Sequence, residues 1–204
     1  ATLDGFGLVQ KPFAIAAAGA TLHYILETQK SQASHLSEIT FYESKDYLIL
    51  DATTLKNLEI IEAADSNQSQ SLLKILDDTV TGMGARLLRH WLLRPSVKIA
   101  EIETRLNAVS ELRQKNIKLD QIRLLLESVA DLERLAGKIT LNRIAPRELI
   151  TLLKSIEILP ALQQQLADTT SSLLQTLAEN FDYLDDIGTL IQISIADEPP
   201  ALST

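Results

Sequence analysis

The chain has 204 residues, with 27 acidic and 19 basic side chains and a formal net charge of −8. Hydrophobic residues make up 46% and charged residues 23%, which is typical of a folded globular domain and excludes a disordered chain. The acidic balance disfavours a free-standing DNA-binding module, because duplex binding depends mainly on lysine and arginine neutralising phosphates. The absence of cysteine excludes disulfides and cysteine–zinc sites.

No apolar run of the sequence reaches the length that a membrane span needs, so we expect no contact with a membrane. Residues 1–12 lack the basic and apolar regions of a secretion signal. The expected location is therefore the cytoplasm.

The N-terminal third of the chain changes pattern twice. Gly5 and Gly7 lie in a short stretch that ends at Pro12 and indicates a connector. Pro12 can open a helix, because its missing N–H has no intrahelical partner at the first position, and apolar residues then recur at helical spacing. Residues 38–51 instead alternate around a polar turn, which predicts one short β hairpin. The polar run 65–71 predicts a loop.

After this loop nearly every segment has helical periodicity. Thr81 can cap a helix that ends before Pro95. Apolar residues then recur at steps of three and four within residues 99–112, 122–132, 149–156 and 173–191. The pattern predicts a mainly α fold, an irregular multi-helix bundle with the hairpin near residues 38–51 as its β element.

The residues offer no catalytic, cofactor or metal site. A phosphate-binding loop needs a glycine-rich turn that ends in Gly-Lys-Ser/Thr, whereas Gly137–Lys138 is followed by Ile139. We interpret Asp78 as a helix cap or a first-turn acid. The histidines are too far apart in sequence to predict a zinc site, and they are His23, His35 and His90.

Two basic clusters admit two interpretations. Their members are Arg86, Arg89, His90 and Arg94, followed later by Arg134, Lys138, Arg143 and Arg147. We interpret them as solvated helix faces with one or two internal ion pairs, because the net charge is negative. The alternative is a weak DNA contact, for which the candidate residues are Arg89, Arg94, Arg143 and Arg147.

Residues 76–95 read Leu-Asp-Asp-Thr-Val-Thr-Gly-Met-Gly-Ala-Arg-Leu-Leu-Arg-His-Trp-Leu-Leu-Arg-Pro. This stretch resembles the signature of the MutS core domain, in which an Asp-x-Thr-x-Thr-x-Met-Gly turn leads into an arginine-containing helix that ends Trp-Leu-x-x-Pro. Residues 50–60, 131–134 and 142–149 resemble the same family in the same order. The resemblance assigns a structural motif to Thr81, Gly82, Met83, Gly84, Arg86, Trp91, Leu92, Pro95, Asp131, Glu133 and Arg134. By the motif, Asp131 or Glu133 is the expected partner of Arg86 in a partly buried ion pair.

The resemblance also implies a domain organisation. Residues 1–13 are expected to be the tail of a connector domain or a linker. Residues 14–204 are expected to be the first half of a core domain, cut before the lever helix and the clamp. In this family the core couples the mismatch-reading and clamp regions to an ATPase, and the parent is a homodimer that encircles DNA.

For the full-length protein the resemblance implies ATP and Mg²⁺ as cofactors. The implied partners are mismatched duplex DNA, a second MutS subunit and MutL. The chain itself is expected to have no catalytic residues and no cofactor. Its expected function is that of a structural and signal-transmitting core, and the alternative is a DNA-contacting helical module in its own right.

Overall fold

A computed structural model describes residues 11–29, 46–63 and 70–199. Within these ranges the chain forms eleven α-helices, which confirms the predicted mainly α fold. In chain order they are α1 Pro12–Gln29, α2 Ala52–Asn57, α3 Leu72–Leu76, α4 Gly82–Leu93, α5 Ile99–Gln114, α6 Asn116–Glu127, α7 Leu132–Thr140, α8 Pro146–Ile156, α9 Leu159–Ala167, α10 Ser172–Glu179 and α11 Asp185–Ser194. None of these described helices is both long and apolar enough to cross a membrane.

The chain divides into two compact units, residues 1–46 and residues 47–204. The first unit contains α1, which begins at Pro12 as predicted. Its alanine-rich sequence favours a helix, since alanine has the highest helix propensity. All of the remaining helices belong to the second unit.

The predicted β hairpin falls largely outside the described residues, because its first strand and most of its turn lie within residues 30–45. In its second half, Tyr47 forms an antiparallel bridge with Ser96. The Leu48 N–H also donates to the Pro95 carbonyl at 2.8 Å. The segment after α4 is therefore a partner of this strand, which the sequence pattern did not indicate.

Two groups of helices make up most of the second unit. The four-helix cluster contains α5, α6, α9 and α10, each packed against two of the others. The α8 group contains α8 with α7 and α11 packed against it. The α8 group has a buried apolar centre, formed by Leu135, Leu152, Leu153, Ile156 and Ile191.

One polar group is buried in the α8 group. Ser155 on α8 is 1% exposed, yet both hydrogen-bonding functions of its hydroxyl are used. Its Oγ donates to the Thr151 carbonyl at 2.9 Å and accepts from the Ala130 N–H at 3.0 Å. This hydroxyl thus fixes the chain just before α7 to the C-terminal end of α8.

The segment 122–132, predicted as one continuous helical stripe, is interrupted. Helix α6 ends at Glu127, and α7 begins at Leu132 after Asp131 accepts a hydrogen bond from the Arg134 N–H at 3.1 Å. The apolar spacing continued across the break, but the capping aspartate starts a new helix.

Candidate functional site

The turn before α4 is held by its own side chains. Asp77 Oδ1 accepts from the Thr79 N–H at 3.2 Å and from the Thr79 hydroxyl at 2.6 Å. Thr81 is the N-cap of α4, and its Oγ1 accepts from the Gly84 N–H at 3.0 Å. The turn therefore sets the direction in which α4 leaves it.

The interpretation of Asp78 as a helix cap or a first-turn acid was wrong. Thr81 performs the capping, and Asp78 stands three residues before it, outside the helix. The Asp78 carboxylate is exposed and lies 3.3 Å from Arg123 Nη2 on α6. Its carbonyl accepts from Arg123 Nη1 at 2.9 Å. Asp78 thus ties the turn to the four-helix cluster.

Two glycines leave space at this turn. A Cβ at Gly84 would meet Thr81 Oγ1 at 3.0 Å, so a side chain there would disturb the cap. A Cβ at Gly82 would meet Asp131 Oδ2 at 3.1 Å. The absence of a side chain at Gly82 therefore allows α4 to approach the N-terminus of α7 closely.

Arg86 joins α4 to α7 through four hydrogen bonds. Its Nη1 donates to Asp131 Oδ2 at 2.8 Å and its Nη2 to Asp131 Oδ1 at 2.7 Å, which is a bidentate pair. Its Nε and Nη2 both donate to Glu133 Oε2, at 2.8 and 2.6 Å. We call Arg86, Asp131 and Glu133 the Arg86 junction. Only a planar guanidinium can make this set of contacts, since a lysine ammonium is a point charge.

Asp131 has two functions in the Arg86 junction, because it also caps α7. The hydrogen bonds from Arg86, followed by the one from the Arg134 N–H, lower the pKa of Asp131 from 3.8 to about 2. The same contacts raise the pKa of Arg86. Arg86 and Asp131 therefore both stay ionised throughout the neutral range.

The Arg86 junction lies at the protein surface. The side chain of Arg86 is 49% exposed, that of Asp131 27% and that of Glu133 66%. Of the partly buried pair expected from the motif, only Asp131 is substantially covered. Water and salt therefore screen the junction, and its geometry matters more than its bare Coulomb energy.

The opposite end of α4 contacts the four-helix cluster. The Arg105 guanidinium of α5 lies 3.9 Å from the ring centroid of Trp91, which is a cation–π contact. Arg105 also forms an ion pair with Glu101 on its own helix. Helix α4 therefore contacts both helix groups, the α8 group through Arg86 and the four-helix cluster through Trp91.

The other residues of the motif lie on α4, just after it or on α7. Met83 and Leu92 are half-buried, and Pro95 stands just after the helix, where its carbonyl accepts from Leu48. The Arg134 side chain is exposed, while its N–H donates to the cap of α7.

Sequence reasoning missed Glu111, which lies on α5 and is only 9% exposed. Its carboxylate accepts from the Thr170 N–H at 2.9 Å, the Ser171 N–H at 2.7 Å and Lys115 Nζ at 2.7 Å. Lys115 and then these amides lower the pKa of Glu111 from 4.5 to about 2. The only signal in the sequence was an acidic residue beside an apolar stripe.

Comparison with known proteins identifies the family. A family profile described as MutS domain III matches residues 53–204. The chain belongs to this family. The DNA mismatch repair protein MutS of Solibacter usitatus is 44% identical over 205 residues, which cover 98% of this chain and 24% of that protein. The DNA mismatch repair protein MutS of Lachnoclostridium phytofermentans is 42% identical over 98% of this chain and 22% of its own length. The DNA mismatch repair protein MutS of Symbiobacterium thermophilum is 40% identical over 100% of this chain and 23% of its own length.

The predicted resemblance is thus confirmed. This MutS domain III chain spans about a quarter of the length of the curated relatives that it matches. The matched region contains the Arg86 junction, Trp91 and Glu111 in full. The predicted domain boundary after residue 13 stays a prediction.

The four arginines predicted as weak DNA contacts lie on two parts of this MutS domain III chain. Arg89 is exposed on α4 and lines a hollow of about 490 Å³ together with Lys56 of α2. Arg94 is exposed just after α4. Arg143 is exposed after α7, and the Nε of Arg147 on α8 donates to the Pro199 carbonyl at 3.0 Å. Their contact with DNA stays a prediction.

A bound metal ion needs several histidine or acidic side chains in one place. In residues 11–29, 46–63 and 70–199 no group of three or more such side chains is arranged to hold one.

Proposed function

We propose that this chain is the structural and signal-transmitting core of a MutS mismatch-repair protein. In this proposal it couples the mismatch-reading and clamp regions of the full-length protein to its ATPase. Binding of mismatched DNA, hydrolysis of ATP with Mg²⁺, pairing with a second subunit, contact with MutL and a cytoplasmic location are proposals for that longer protein. They are supported by relatives named DNA mismatch repair protein MutS.

The Arg86 junction is the observation that carries the proposal. It fixes one end of α4 to the N-terminus of α7, while Trp91 contacts α5. A displacement of either helix group must therefore move α4 or break one of these contacts. A helix that is fixed to both groups is suited to transmit a displacement between them, because packed elements shift as rigid bodies.

Arg86→Ala in the full-length protein tests this role. Three quantities are measured: the affinity for mismatched duplex, the basal ATPase rate and the change in ATPase rate that a mismatch causes. We expect the first two to stay within about two-fold of the wild type and the third to fall about five-fold or more, a typical allosteric coupling. Arg86→Lys should resemble Arg86→Ala, because lysine cannot form the bidentate pair.

Arg89→Ala is the matched control, since Arg89 lies on the same helix with its side chain exposed. It should leave the mismatch-dependent change in ATPase rate intact. A normal mismatch response in a folded Arg86→Ala protein would overturn the proposal. The proposal would also be overturned if Arg86→Ala and Arg89→Ala lost the basal ATPase rate and the mismatch-dependent change in that rate to the same extent.

A further inference from the structure

The segment that follows α4 is paired with the start of the second unit. Tyr47, the first residue of that unit, forms the antiparallel bridge with Ser96. The Leu48 N–H donates to the Pro95 carbonyl at 2.8 Å. Because α4 ends at Leu93, residues 47–48 are paired with backbone that follows this helix almost directly.

Ser96 extends this pairing to α5 through its side chain. Its Oγ accepts from the Lys98 N–H at 3.2 Å and donates to Glu101 Oε2 at 2.7 Å. Lys98 is the N-cap residue of α5, and Glu101 lies in the first turn of that helix. A serine hydroxyl can donate one hydrogen bond and accept others, and Ser96 does both. Its hydroxyl therefore joins the segment after α4 to the N-terminus of α5.

Glu101 holds a second partner with its other oxygen. Arg105, one turn further along α5, donates from Nη2 to Glu101 Oε1. The same guanidinium lies 3.9 Å from the centroid of the Trp91 ring on α4. A glutamate four residues before a basic residue is the favourable order for an ion pair on a helix. The carboxylate therefore restricts a long, flexible side chain to the position over the ring.

We propose that Glu101 is a positioning residue that links residues 47–48 to α4. One carboxylate oxygen receives Ser96 and the other holds Arg105 against Trp91, so a displacement of residues 47–48 is passed on to the side chain that contacts α4. This link is separate from the contact between α4 and α7. Its consequence for mismatch signalling rests on the proposed function of α4, whereas the link itself does not.

The surroundings of Glu101 distinguish it from the other acidic residue nearby on α5. The side chains of Glu101 and Arg105 are 38% and 30% exposed, so the pair is partly shielded from water and salt. Glu103 is an exposed carboxylate on the same helix. Residues two apart on a helix do not face the same way, so Glu103 has the charge of Glu101 in a different direction. It therefore provides a matched control.

Nuclear magnetic resonance of the 204-residue chain tests the link. An aromatic ring shifts the resonances of protons over its face upfield, so the Arg105 Nε–H resonance measures how closely the guanidinium lies over Trp91. The position of this resonance in the urea-unfolded chain sets the zero. We expect Glu101→Ala to remove more than half of the upfield shift and Glu103→Ala to leave it unchanged.

Substitutions of Ser96 distinguish a link from an ion pair that acts alone. Ser96→Ala removes the hydroxyl that holds Glu101, and Ser96→Thr retains a hydroxyl at the same position. We expect Ser96→Ala to remove roughly a third of the upfield shift and Ser96→Thr to preserve it, because bonds in a network support one another. In a Glu101→Ala background, Ser96→Ala should have no further effect.

The start of the link is tested at Leu48. Leu48→Pro removes the N–H that donates to the Pro95 carbonyl, and Ile49→Pro introduces the same residue at the next position, which is 75% exposed. We expect Leu48→Pro to reduce the upfield shift of Arg105 in the way that Ser96→Ala does. Ile49→Pro should leave the shift near its wild-type value. Far-UV circular dichroism shows that each variant is folded.

Three outcomes would overturn the proposal. The first is an Arg105 resonance that stays at its wild-type position in Ser96→Ala. The second is simple additivity of Ser96→Ala and Glu101→Ala, and the third is an equal effect of the two proline substitutions. None of these variants changes the Arg86 junction, so their failure would leave the proposed coupling through that junction unaffected. A normal mismatch response in Arg86→Ala would likewise leave these resonances as they are.

Discussion

Arg86 and Asp131, 45 residues apart in the sequence, face each other so that both terminal nitrogens of the guanidinium meet both oxygens of the carboxylate. The distances are 2.8 and 2.7 Å. Asp131 also begins α7, so the same carboxylate positions a helix and receives the arginine. A substitution of Arg86 should therefore also destabilise the N-terminus of α7.

A double-mutant cycle of Arg86→Ala and Asp131→Asn should be clearly non-additive. Asparagine preserves the cap of α7 while it removes the charge. Each single change should lower the urea midpoint several times more than Arg89→Ala, and the double variant should lose little more than either single variant. The difference should shrink at 1 M salt, because the junction is half-exposed. Simple additivity of the two losses would show that the side chains act independently.

Acid should weaken the contact between α5 and α10 through Glu111. The folded pKa of Glu111 is about 2, against an ordinary 4.5. The carboxylate therefore stabilises the fold fully above pH 4.5, and this contribution is lost as the pH falls from 4.5 towards 2. The urea midpoint of the wild type should exceed that of Glu111→Gln at pH 7, and more than half of the difference should vanish by about pH 3.

Glu103→Gln is the control for the acid experiment, because Glu103 is an exposed carboxylate on the same helix. Its urea midpoint should follow that of the wild type at every pH. A gap between the wild type and Glu111→Gln that stays constant from pH 7 to pH 3 would rule out the ionised carboxylate as the source of the stabilisation.

Ser155→Ala should destabilise the α8 group by about 1–3 kcal/mol, because the Ala130 N–H would lose its buried acceptor. Chemical denaturation at neutral pH measures the loss. Ser110→Ala, at an exposed position on α5, should change the free energy of unfolding by no more than about 0.5 kcal/mol. Indistinguishable results for the two serines would mean that water replaces the Ser155 hydroxyl.

Two glycines should respond to alanine with opposite signs. At Gly84 a Cβ meets the capping hydroxyl of Thr81 at 3.0 Å, so Gly84→Ala should cost about 0.5–2 kcal/mol, the usual effect of a lost cap. Gly137 lies inside α7 with open space around it, so Gly137→Ala should stabilise the fold by about 0.5–1 kcal/mol. Thermal unfolding of the two variants checks the signs, and a stabilising Gly84→Ala would contradict the capping geometry.

Local patterns predicted much of the architecture. Pro12 begins α1, Thr81 caps α4, and the apolar spacing indicated helices within residues 99–112, 149–156 and 173–191. It did not indicate α9. These features can be read from the sequence because they depend on neighbours within about four residues. The pairing of Arg86 with Asp131 and Glu133 came from the family motif, since nothing in the local spacing connects them.

Contacts between distant polar groups could not be predicted in this way. Glu111 accepts from backbone N–H groups 59 and 60 residues away, and a backbone amide has no identity in the sequence. The bridge from Tyr47 to Ser96 escaped for the same reason, because an alternating pattern identifies a strand and not its partner. The break before α7 was missed because apolar periodicity outweighed a single capping aspartate.

Trp91 is the one tryptophan among the 204 residues. Its ring lies beneath the Arg105 guanidinium, at the contact between α4 and α5. Excitation at roughly 295 nm selects tryptophan. The fluorescence of this chain therefore originates at the contact between α4 and α5. Separation of the two helices would leave the indole in water and shift its emission to longer wavelength. The intrinsic fluorescence of Trp91 therefore reports movement of α4 against α5 without any attached dye.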